Sequence, residues 1–90
     1  MEDPRVLDAN AVAGALHDLF GREVTAAMHE CAHCGHSGAI GSLRAWIGGP
    51  GVVLRCLGCD EVVLRWARTP GGFRVDLRGA VLVAMPVRSD

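Results

Sequence analysis

The chain has 90 residues, half of them apolar, with 9 Lys and Arg against 10 Asp and Glu and a formal net charge of −1. That length holds one small domain, 1–90, with about 5–13 kcal/mol of net stability, and the near-neutral balance argues against a strongly basic nucleic-acid binder. No run approaches the roughly 18 apolar residues of a membrane span, and Met1-Glu2-Asp3-Pro4-Arg5 lacks the basic-then-apolar layout of a secretion signal; a cytoplasmic protein is expected.

Residues 1–7 read as a frayed start. Asp8 is a good N-cap, and Val12, Leu16, Leu19 and Phe20 recur at helical spacing before Gly21, which predicts a helix over about 8–20. Gly14 weakens it by about 1 kcal/mol relative to alanine. Beyond Gly21 the pattern turns to short β-type runs, roughly 25–30, 43–47, 52–55, 62–69, 73–78 and 80–85. The turns are Gly48-Gly49-Pro50-Gly51 and Pro70-Gly71-Gly72. Alternation puts Phe73, Val75 and Leu77 on one face and Arg74, Asp76 and Arg78 on the other, and it turns Leu64 and Trp66 inward with Arg65 outward.

Two hooks interrupt these runs: Cys31-Ala32-His33-Cys34 and Cys56-Leu57-Gly58-Cys59, separated by positions 35–55. Two C-x2-C pairs at this separation are the sequence form of a four-cysteine metal site, in which zinc takes four thiolates at ~2.3 Å. Gly35 stands where such a hook needs a positive φ, and Gly58 is expected to play the matching role. Four thiolates close the tetrahedron, so one structural Zn2+ held by Cys31, Cys34, Cys56 and Cys59 is the first reading. Structural zinc contributes about 10–16 kcal/mol in small modules, so the metal is expected to be a condition of folding. Iron in a rubredoxin-like site is the second reading, because the same donors suit it, although Cys56-Leu57-Gly58-Cys59-Asp60 lacks the proline and trailing glycine of that hook. A redox dithiol comes third. Haem attachment fails because histidine does not directly follow Cys34, and a thioredoxin-like motif lacks its βαβ setting.

His29, His33 and His36 crowd the first hook. They read as exposed loop residues; the alternatives are one of them replacing a cysteine as ligand, a pH-sensitive site, or a partner contact. Arg44, Arg55, Arg65, Arg74 and Arg78 fall on the outward phase of their strands, and Trp46 shares the phase of Arg44. Such a face either is a solvated surface paired with Glu61 and Asp76 or holds single-stranded nucleic acid by charge and stacking. All nine basic residues are arginine; a GC-rich coding bias explains this more simply than an arginine-specific surface. No glycine-rich phosphate loop, placed nucleophile or carboxylate pair stands out, so no enzyme is expected.

One N-terminal helix followed by antiparallel strands around two cysteine hooks predicts an α+β fold. It is a zinc ribbon with rubredoxin-like knuckles, a small antiparallel sheet over about 25–85 and the helix laid across it. Residues 7–14, Cys31-Ala32-His33-Cys34-Gly35, the run from Pro50 to Cys56 with Cys59, and Asp76-Leu77-Arg78-Gly79 resemble an uncharacterised actinobacterial family with a zinc-ribbon look. That resemblance spans nearly the whole chain and implies no established activity. The expected function is a small intracellular adaptor for a protein partner. A nucleic-acid-binding ribbon and an iron electron carrier are the alternatives.

Overall fold

A computed structural model describes residues 6–85. It is an α+β fold with one α-helix and two antiparallel sheets, where the sequence had suggested one small sheet. The larger sheet has five strands in the order β1-β4-β5-β6-β7, and the smaller has three in the order β3-β2-β8. The strands are β1 (Val6–Asp8), β2 (Met28–Cys31), β3 (Ser37–Ala39), β4 (Arg44–Trp46), β5 (Gly51–Arg55), β6 (Val62–Thr69), β7 (Gly72–Asp76) and β8 (Ala80–Ala84). No helix among the described residues is long and apolar enough to cross a membrane.

The helix begins as expected at Asp8, whose Oδ1 accepts the Asn10 N–H at 2.8 Å. Its first turn, Ala9–Val12, is 3-10, and the α-helix proper, α1, is Ala13–Phe20. Gly21 ends it in the left-handed region at φ 72°, with its N–H on the His17 carbonyl, a glycine cap. The predicted stripe is the buried one: Val12 and Leu16 lie in the core, with Leu19 and Phe20 packed against it.

The 1–7 stretch is not wholly a frayed start, because Val6–Asp8 pairs antiparallel with Arg44–Trp46. A three-residue run carries too little periodicity to be read alone; the partner strand defines it. Positions 1–5 lie outside the described residues. β3 was likewise invisible, since Ser37-Gly38-Ala39 has poor β propensity and exists by pairing with β2.

Leu54 pairs with Leu64 and Ala45 with Leu54, so these residues share the inner face, which Leu64 and Trp66 fill as expected. Val63 is also fully buried. The register slips beside it, with Leu54 opposite Leu64 but Arg55 opposite Val62. Val63 is thus the extra residue of a bulge, and as the neighbour of Leu64 it points to the opposite side.

Gly79 carries the chain from β7 to β8 across this bulge. A Cβ at Gly79 would run into the carbonyl oxygens of Val62 and Val63 and stand 2.7 Å from the Val63 Cα. Its own carbonyl accepts the Ala32 N–H at 2.9 Å. Gly79→Ala is expected to destabilise the fold by about 1–3 kcal/mol through overpacking, measured by denaturant unfolding. Gly71→Ala, where nothing lies within 4 Å of the new carbon, should leave the midpoint unchanged or slightly raised.

Candidate metal centre

The two hooks are near copies of one another. Cys31 ends β2, and its N–H donates to the His36 carbonyl at 2.8 Å while the Gly35 N–H returns to the Cys31 carbonyl at 2.9 Å. Cys56 follows β5, and its N–H donates to the Glu61 carbonyl at 2.9 Å while the Asp60 N–H returns to the Cys56 carbonyl at 2.9 Å. Each loop thereby points its backbone N–H groups at its sulfurs: His33 N–H to Cys31 Sγ at 3.4 Å, and Gly58 N–H to Cys56 Sγ at 3.2 Å.

The four cysteines form a possible metal-binding site. Their Sγ atoms all lie within 4.8 Å of one another. Across the hooks, Cys31–Cys59 is 3.7 Å and Cys34–Cys56 is 3.6 Å. A tetrahedron of thiolates at ~2.3 Å from a central ion has edges of about 3.8 Å, so the donor set fits one four-coordinate ion. Cys31 and Cys56 are buried, Cys59 is half-buried and Cys34 reaches the surface.

The thiols resist losing their protons together. Burial pushes Cys31 up, but the N–H groups of His33 and Cys34 and the thiols of Cys59 and Cys56 outweigh it and bring it down to about 7. For Cys59 the Glu61 N–H favours ionisation, yet burial and the other three thiols prevail and push it up to about 12. The His36 N–H pulls Cys34 down, and burial with the Cys56 and Cys31 thiols more than reverses this. One negative charge is tolerated and further ones repel it. A divalent cation removes that conflict and releases protons as it binds.

The left-handed residue of the first hook is Gly35 at φ 78°, as expected. In the second hook it is not Gly58 but Asp60, at φ 63°, four residues after Cys56 just as Gly35 follows Cys31. Gly58 serves packing instead: a Cβ there would sit 3.4 Å from both Cys34 Sγ and His36 Cβ. Among non-glycine residues aspartate is one of the better tolerated in this region. That tolerance is the only signal by which the sequence could have pointed to position 60.

The three histidines separate. His33 and His36 are exposed, but His29 lies in β2 and is buried, with 1% of its surface accessible. This corrects the reading of an exposed loop residue; pairing with Gly38 and Val83 turns its ring inward. Burial lowers its pKa, and His36, whose ring centroid is 6.4 Å away, adds to the effect. The nearby Gly38 backbone opposes the shift without reaching hydrogen-bond geometry.

The five arginines and Trp46 are not part of the sulfur cluster. Arg44 pairs with Arg55, Trp46 with Val53, Val53 with Arg65, and Arg65 with Asp76, so Arg44, Trp46, Arg55 and Arg65 share the outer face of the larger sheet. Arg74, opposite Ala67 in β7, shares it too. A cleft of about 920 Å³ opens there, lined by Trp46, Val53, Arg65, Ala67, Arg74 and Arg78 among others. Most of these cations are engaged within the chain. Arg44 Nη1 is 3.7 Å from Asp60 Oδ1. Arg55 donates to the Asp60 carbonyl at 2.9 Å and lies 5.9 Å over the Trp46 ring. Asp76 holds Arg65 at 3.3 Å and Arg78, in the turn after β7, at 2.7 Å. The hydrogen bonds from Arg78 are the main reason that the Asp76 carboxyl stays well below the usual range.

Cys34→Ser is expected to abolish metal retention and the cooperative thermal transition, checked by metal analysis and calorimetry; native cooperativity in the variant would contradict a folding role for the site. Asp60→Gly should keep or raise the unfolding midpoint, since it relieves the left-handed backbone and loses only an exposed ion pair. Asp60→Val should lower stability by about 1–2 kcal/mol.

No curated protein and no solved structure matches the chain. The family model DUF6510, described as a family of unknown function, matches residues 2–88. With the match covering almost the whole sequence, the chain belongs to the DUF6510 family.

Proposed function

We propose a small intracellular module built on one structural zinc ion, which docks a partner protein and has no catalysis of its own. The observation that carries the docking reading is the apolar surface around the β7–β8 connection. Phe73, Val75 and Leu77 are 37–43% exposed, and Val81 and Leu82 are 60% and 49% exposed. Exposed apolar side chains of this size on two successive strands and their connection suit an interface. The zinc reading rests on the sulfur tetrahedron, which leaves no coordination position for water or substrate. Four free thiols fit a reducing compartment.

The shared outer face of Arg44, Trp46, Arg55, Arg65 and Arg74 favours a second reading, a sheet surface for single-stranded nucleic acid. It ranks second because Asp60 and Asp76 already engage four of the five predicted arginines. Rubredoxin-like iron stays third, on the donor chemistry alone.

Elemental analysis and a visible spectrum on protein purified without added metal test the metal assignment. One zinc per chain and no colour are expected; iron with a red thiolate-to-metal absorption would make the protein an electron carrier and overturn the proposal. Fluorescence anisotropy with a labelled single-stranded oligonucleotide separates the two binding readings. The adaptor predicts no binding, whereas affinity falling with salt at a logarithmic slope of about 0.7 per phosphate contacted decides for nucleic acid.

A further inference from the structure

A strand at the edge of a sheet offers unpaired backbone groups to any other strand, and proteins blunt such edges by shortness, bulges, proline or lysine. Three of the four edges described here are blunted. β1 and β3 are three residues long, and β8 is interrupted where Glu30 faces Leu82 but Cys31 faces Ala80. β7 is the exception. It has five residues without proline or lysine, pairs with β6 in unbroken register, and forms the outer edge of the larger sheet. Gly72, Phe73, Arg74 and Val75 are all exposed.

The sequence of this edge is self-complementary. Phe73 and Val75 stand on the inner face, opposite Arg68 and Trp66, while Arg74 and Asp76 stand on the outer face, opposite Ala67 and Arg65. A second β7 added antiparallel about a two-fold axis normal to the sheet keeps inner face beside inner face. Only registers centred on a residue then place like faces together. Centred on Arg74, the pairing sets arginine against arginine; centred on Asp76, it sets aspartate against aspartate and Arg74 against Arg78. Centred on Val75, it sets Val75 against Val75, Phe73 against Leu77, and each Arg74 against the other copy's Asp76. Opposite charges and apolar pairs directly across a ladder are the favourable ones.

We infer that the β7 edge docks a second copy of this chain, in the antiparallel register centred on Val75, and joins two five-stranded sheets into one. The inference rests on the adaptor reading and names one of its partners. Arg74, for which no ion pair is found among the described residues, gains its counter-ion across the two-fold axis. Phe73, already under the Arg68 guanidinium at 4.8 Å, gains Leu77 beside it.

Sedimentation equilibrium on the metal-loaded full chain tests this, with Val75→Lys and Val75→Glu as probes. Val75 is 43% exposed, so both variants should keep their metal and melting transition, which serve as folding controls. Twice the chain mass is expected for the wild type and the single chain mass for each variant alone, because residue 75 faces itself. An equimolar mixture of the two variants should recover the dimer through a Lys–Glu pair. A monomeric wild type, or a dimer untouched by Val75→Lys, overturns the inference, and a mixture that stays monomeric overturns the register. A monomeric zinc protein leaves the adaptor reading standing with another partner; an iron protein overturns that reading whatever its mass.

Discussion

Where the two sheets meet, four sulfurs converge, and the rest of the fold is arranged around that convergence. One hook closes the β2–β3 hairpin of the smaller sheet and the other closes the β5–β6 hairpin of the larger. An ion held by Cys31, Cys34, Cys56 and Cys59 would therefore bolt one sheet to the other. The elements it joins are short, and several would not hold alone: β1 and β3 have three residues each, and α1 has eight, below the length at which a helix persists in water. A binding free energy of about 10–16 kcal/mol for structural zinc matches or exceeds the about 5–13 kcal/mol of net stability expected of such a chain. On the zinc reading, the ion would supply as much free energy as the whole fold retains.

The same convergence creates an electrostatic problem that a bound cation would solve. Cys31 is drawn down to about 7, while Cys59 is held up to about 12. The backbone N–H groups soften this, since each hook turns donors towards its own sulfurs and a thiolate accepts them more strongly than a thiol. They do not remove it. Gly58 lies beside Cys34, Cys56 and His36, and the close approach in this region is at Gly79, seated on the bulge at Val63.

Away from the metal, two aspartates decide the character of the outer face. Asp60 anchors Arg44 and, through its carbonyl, Arg55; Asp76 anchors Arg65 and Arg78. An arginine-rich surface is thereby made partly neutral, while the apolar residues of β7 and β8 stay exposed. Engagement of the cations and exposure of the apolar groups together tilt the functional reading towards a protein partner.

Features governed by neighbours in sequence could be read from the chain alone. The helix from Asp8 to Phe20, the stop at Gly21, the strand at 62–69, the hooks and the phase of the outward arginines depend on period, capping and spacing, which are local. Other features needed long-range pairing. Val6–Asp8 and Ser37–Ala39 are strands only because partners lie beside them, and the strands divide into two sheets only through their pairing order. His29 is buried because β3 and β8 flank it. The left-handed turn of the second hook falls on Asp60 because the hydrogen-bond pattern repeats at four residues after each leading cysteine, where one hook has glycine and the other does not. Residue spacing alone determined which side chains would gather; which of them are buried, paired or left at an edge was decided by contacts between segments far apart in the chain, whose free energies no local pattern carries.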